Sequence, residues 1–109
     1  MAEWYEGDAI ANGVRLHYTR TGGNKPPLVI VHGVTDIGMG WSRVARALEQ
    51  DYDVIMYDAR GHGLSDAPDT GYAPQEHVAD MAGLVAALSL EKPALIGHSM
   101  GAANVALAV

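Results

Sequence analysis

The chain has 109 residues, 49% of them hydrophobic and 18% charged, and a formal net charge of −6. That composition predicts one globular domain, residues 1–109, and not a disordered chain. The acidic balance disfavours nucleic acid and anionic membrane, which need a basic face, so neither is expected as a main partner. There is no cysteine, which removes disulfides, thiolate metal sites and cysteine nucleophiles. No apolar run reaches the ~20 residues that span a bilayer. The start, Met1-Ala2-Glu3-Trp4-Tyr5-Glu6, is acidic and has no apolar core, so it does not read as a secretory signal. A soluble, cytoplasmic protein is the expectation.

In chain order, Asn12-Gly13 suits a two-residue hairpin turn, because both residues tolerate positive φ. Val14, Leu16 and Tyr18 then alternate with Arg15, His17 and Thr19, the period of a half-buried strand. Thr21 to Pro27 reads as loop by composition. Leu28-Val29-Ile30-Val31 is continuously apolar, as a parallel strand covered on both faces would be. Trp41, Val44, Ala45 and Leu48 fall at helical spacing and predict a helix over 41–49. Asp53 to Tyr57 reads as a further strand. Pro74 suits a first helical position, and Val78, Met81, Ala82, Val85 and Leu88 supply the apolar stripe of a helix over 74–88. Gly83 inside it costs about 1 kcal/mol relative to alanine, which points to close packing on a sheet. Residues 93–97 form a short strand, and a helix begins after the turn that follows. His17 and His77 read as surface residues.

A hairpin followed by alternating strands and helices predicts an α/β, three-layer fold with a mostly parallel sheet. Ligands of such sheets bind at the carboxyl ends of the strands. His32-Gly33 and Gly97-His98-Ser99 both fall there.

Gly97-His98-Ser99-Met100-Gly101 matches G-x-S-x-G between a strand and a helix. A serine on that turn adopts strained backbone angles and projects its hydroxyl above a helix N-terminus, where developing negative charge is favoured. Two further segments accompany it: His32-Gly33-Val34, and Asp58-Ala59-Arg60-Gly61-His62-Gly63-Leu64-Ser65. Together they make the chain resemble the α/β-hydrolase fold family, over its N-terminal half.

The resemblance implies a sheet of strand order 1-2-4-3-5, with strand 2 antiparallel to the rest. It implies Ser99 as nucleophile and the Val34 and Met100 N–H groups as the oxyanion hole. His32, Gly33, Gly97, His98 and Gly101 are then supporting residues of the two turns. A structural role is expected for His32, with a substitute base as the lesser reading. Asp58 and Arg60 are expected to tie their loop down, and His62 and Ser65 are not catalytic candidates. The implied activity is a serine hydrolase of an ester, lactone or related small acyl substrate. Acyl transfer or perhydrolysis by the same serine, and a non-catalytic α/β module, are the alternatives. Serine in place of aspartate argues against the dehalogenase and epoxide-hydrolase branches, which use a carboxylate nucleophile.

No cofactor or metal is expected: no dinucleotide fingerprint, P-loop or H-E-x-x-H is present. In the family the triad runs Ser, then Asp or Glu, then His. No acid or histidine follows Ser99 here. The chain therefore reads as the N-terminal half of the fold, ending just after the nucleophile turn, with impaired activity on its own. Strand 93–97 would then present an open apolar edge, through which self-association is expected.

Overall fold

The computed structural model describes residues 4–33 and 36–108. Five strands form one sheet: β1 (Tyr5–Ala11), β2 (Val14–Arg20), β3 (Pro27–Val31), β4 (Asp53–Tyr57) and β5 (Ala94–Gly97). Their spatial order is β1-β2-β4-β3-β5. β2 is antiparallel to β1 and to β4, whereas β3 is parallel to both β4 and β5. This is the topology that the family resemblance implies.

The hairpin closes at Asn12 and Gly13, with φ of 52° and 79°, the primed geometry that matches the strands' twist. β3 and β4 are largely apolar because helices cover both faces; the exception is Asp53 at the start of β4, which is buried and paired with Arg20. Leu28, Ile30, Val54 and Met56 pack on Ala45, with Val44 and Leu48 against them. These belong to α1 (Ser42–Leu48), which is preceded by a 3₁₀ turn over Gly38–Trp41. Val29, Val31, Ile55 and Tyr57 point the other way and meet Met81 and Leu84 of α2 (Pro74–Ala87). The last helix, α3 (Met100–Ala108), joins the α2 face through Val105.

Three details differ from the sequence reading. The helix expected over 41–49 begins one residue later, at Ser42, because Trp41 closes a preceding 3₁₀ turn over Gly38–Trp41, whose buried Gly38 lies against the backbone of Met56 and Tyr57. The buried side of α2 is His77, Asp80, Met81 and Leu84, so the helix is rotated from the stripe that apolar spacing alone suggests. His77 is therefore buried, not a surface residue. His17 is half-buried as well, held between Asp8 and Glu6 of the neighbouring strand at 3.1 Å each. Gly83 does permit close packing: a Cβ there would stand 2.8 Å from the Ala11 side chain.

Candidate active site

Ser99 lies between β5 and α3 with φ of 57°. An L-residue in this region is strained by about 1–3 kcal/mol and persists only where its surroundings enforce it. The surroundings here are the carboxyl end of β3. His98 N–H donates to the Val31 carbonyl at 3.1 Å, and Gly101 N–H donates to the His98 carbonyl at 2.9 Å. The turn is thus fastened to the neighbouring strand on one side and to its own helix on the other.

That fastening leaves no room for a side chain at Gly101 and little at Gly33 on the facing loop. A Cβ at Gly101 would overlap the Val31 carbonyl and stand 2.8 Å from the His32 carbonyl oxygen. One at Gly33 would meet the Ser99 Cβ at 3.3 Å and the His98 Nδ1 at 3.4 Å. The β3 turn and the β5 turn are therefore in contact, and Ser99 faces the His32-Gly33 loop. His98 packs its ring against Trp41, with centroids 5.4 Å apart.

Met100 is the first residue of α3, so its N–H is one of the orphan donors of a helix start. It follows Ser99 directly and can donate to an oxygen above that turn. Val34 lies outside the described residues.

His32 is only 1% exposed, and both ring nitrogens are engaged. Ala59 N–H donates to Nε2 at 2.9 Å. Nε2 is then the acceptor, so Nδ1 carries the hydrogen and donates to the Gly33 carbonyl at 2.6 Å. Burial pushes the His32 pKa below its ordinary value, against the raising effect of the Gly33 hydrogen bond. A neutral imidazole with no free lone pair cannot take a proton from Ser99. The substitute-base reading of His32 is thereby corrected. Its work is to join the β3 turn to the β4 turn, with the His62 ring edge-on at 4.9 Å.

The β4 turn is held by its own side chains. Asp58 accepts from Gly38 N–H at 2.7 Å and from Leu64 N–H at 3.0 Å. It thus anchors the 3₁₀ turn after β3 to the turn after β4. Ser65 donates its hydroxyl to the Asp58 carbonyl at 2.6 Å and accepts from His17 N–H at 2.8 Å. Arg60 reaches in the other direction, to the Asp80 carboxylate on α2 and to the Gly71 carbonyl at 2.7 Å. Asp80, which the sequence reading missed, also accepts from Asn12 at 3.1 Å. These side chains are architectural, as expected for Asp58 and Arg60. Among the described residues, no cluster of three or more histidine or acidic side chains could hold a metal, and no helix is long and apolar enough to cross a membrane.

Residues 26–109 match the family model described as the alpha/beta hydrolase fold. The chain belongs to the α/β-hydrolase fold family. It is 42% identical to the N-formylmaleamate deformylase of Pseudomonas putida over 97 residues, 88% of this chain and 36% of that protein. It is 38% identical to the 2-(acetamidomethylene)succinate hydrolase of Mesorhizobium japonicum over 85 residues, 78% of this chain and 31% of that protein. The crystal structure of epoxide hydrolase A from Mycobacterium thermoresistibile superposes with a TM-score of 0.92 at 34% identity, covering 97% of this chain and 34% of that one. These α/β-hydrolase relatives are hydrolases by name, and the chain spans about a third of their length.

Proposed function

We propose that Ser99 is the nucleophile of a hydrolase acting on small acyl compounds. The observation that carries this is the Ser99 backbone, held at φ 57° against the Gly33 end of β3 at the start of α3. Strained turns of this kind exist to lift one hydroxyl clear of a sheet.

The Ser99 hydroxyl attacks the acyl carbonyl carbon, and the carbonyl oxygen gains negative charge. Met100 N–H and, by resemblance, Val34 N–H donate to that oxygen. One such donor is worth about 3 kcal/mol to the transition state. The leaving group departs with a proton, and water hydrolyses the acyl-serine.

Serine also separates acyl chemistry from epoxide opening. A serine that opened an epoxide would be left as an ether, which offers water no carbonyl to attack. A carboxylate would give a hydrolysable ester. The name of the deformylase relative, which removes a formyl group, brings N-acyl compounds into the substrate class beside esters and lactones.

Serine is a weak nucleophile without an adjacent base, and no acid or histidine follows Ser99 in this sequence. The chain by itself is therefore expected to turn over 4-nitrophenyl acetate far below the ~1–10³ s⁻¹ of ordinary enzymes. Its slow reaction should fall to the background rate in Ser99→Ala. Residual turnover unchanged by that substitution would overturn the assignment.

A further inference from the structure

A second cavity lies away from the nucleophile turn, on the α1 face of the sheet where β2 meets β4. It has a volume of about 310 Å³ and is lined by Thr19, Met56, Ile37, Met39 and Leu64, with Glu6 and His17 at its rim. None of Ser99, His98 or Met100 lines it. Its location follows from the fold. α1 covers β3 and β4 on this face, through Leu28, Ile30, Val54 and Met56. The 3₁₀ turn Gly38–Trp41 and the β4 turn then form the walls beside the hairpin strands.

Three observations point to a ligand. The first is size: roughly twice the ~150 Å³ that accommodates a benzene ring in an apolar protein cavity. The second is Thr19. It is 4% exposed and lines the cavity, and its hydroxyl, which makes no hydrogen bond among the described residues, is open to that space and not sealed off, since no buried side-chain polar atom there lacks a partner. A hydroxyl open to an apolar cavity is free to pair with a polar group that enters it. Its strand neighbours by register, Glu6 and Met56, leave it facing the cavity. The third is charge. Glu6 and Asp58 line the cavity, and Asp8 lies just behind His17. Their carboxylates disfavour an anion there.

We propose that this cavity binds a small, largely apolar molecule with one neutral or cationic hydrogen-bond-donating head, an alcohol or an amine, and that Thr19 is its polar contact. Ile37, Met39, Met56 and Leu64 pack on the apolar body. The exposed positions of Ile37, Met39 and Leu64, at 43%, 43% and 63%, are the apolar rim that such a body would cover. The site is independent of the reading of Ser99, since the two share no residue.

The test is titration of the protein with benzyl alcohol, benzylamine and benzoate, followed residue by residue by NMR. Benzyl alcohol and benzylamine should shift Thr19, Met56 and Leu64, and benzoate should shift them weakly or not at all. Thr19→Val keeps the side-chain shape and removes the hydroxyl, so benzyl alcohol should bind it about 3- to 10-fold more weakly. Benzoate binding as tightly as benzyl alcohol would overturn the proposal, with no variant required. So would an affinity unchanged in Thr19→Val, or probe shifts confined to residues outside the cavity.

Discussion

Arg60 and Asp80 form a two-point ion pair, Nε to one carboxylate oxygen at 2.6 Å and Nη2 to the other at 2.7 Å, with 5% and 2% of the two side chains exposed. The pair joins the β4 turn to α2 across 20 residues of sequence. The Asp80 hydrogen bond is the largest influence on Arg60 and raises its pKa.

Removing one partner should cost far more than removing both. Asp80→Ala leaves a buried guanidinium without its paired carboxylate, with only the more distant charge of Glu76 near it, and a loss of about 3–5 kcal/mol is expected. Replacing the pair together, as Arg60→Met with Asp80→Leu, should recover much of that loss. Urea denaturation of the three proteins measures both. A single substitution no worse than the double would contradict the account of the pair.

The backbone contact at Gly101 sets a second expectation. Gly101→Ala drives a methyl group into the Val31 and His32 carbonyls, and no flexible side chain is there to move aside. A loss of about 3 kcal/mol or more is expected, above the usual range for overpacking. The neighbouring exposed Ala102 should tolerate substitution by serine within about 0.5 kcal/mol. Thermal denaturation of the two variants gives the comparison.

Two buried histidines set the pH dependence. His32 and His77 both have pKa values lowered from 6.5, in each case chiefly by burial. A lowered folded-state pKa means that the unfolded chain takes up the proton first. The stability they contribute is complete above pH 6.5 and is lost as pH falls through their folded values. The urea midpoint should therefore be lower at about pH 5 than at about pH 7.5, while most carboxylates are still ionised. His32→Gln should flatten the difference between the two conditions. A midpoint that rises on acidification would contradict the assignment.

Much of this was legible in the sequence because local rules and the family resemblance agreed. Asn12-Gly13 announced the hairpin, the apolar run at 28–31 announced a strand covered on both faces, and 53–57 read as the strand after it. G-x-S-x-G located the strained turn. What escaped the sequence was side-chain pairing across long separations. Asp80 and His77 look like ordinary polar positions on a helix. They are buried because the segment between β4 and α2 folds back over the first turns of α2, bringing Arg60 to Asp80 and Tyr72 to within 6.5 Å of His77 by ring centroid. Periodicity counts apolar residues, so it sets the α2 stripe on Val78, Met81, Ala82, Val85 and Leu88, of which Met81 is buried, and passes over the polar pair. His32 was ambiguous for a similar reason. Only the Ala59 N–H, 27 residues away, shows that its Nε2 is occupied.

The outer edge of β5 also makes a prediction. β5 hydrogen-bonds to β3 on one side and has no strand on its other side among the described residues. We propose that the chain on its own self-associates through this edge, since an unpaired strand invites another. Light scattering across a concentration series should show a mass that rises with concentration. A constant monomer mass would contradict it.

The most direct measurement of the central claim is covalent. The chain would be incubated to completion with a fluorophosphonate probe and the adduct mapped by peptide mass spectrometry. A single adduct on Ser99 is predicted, formed slowly, with Ser42, Ser65 and Ser89 unmodified. Labelling spread evenly over those serines, or absent from Ser99, would contradict the account.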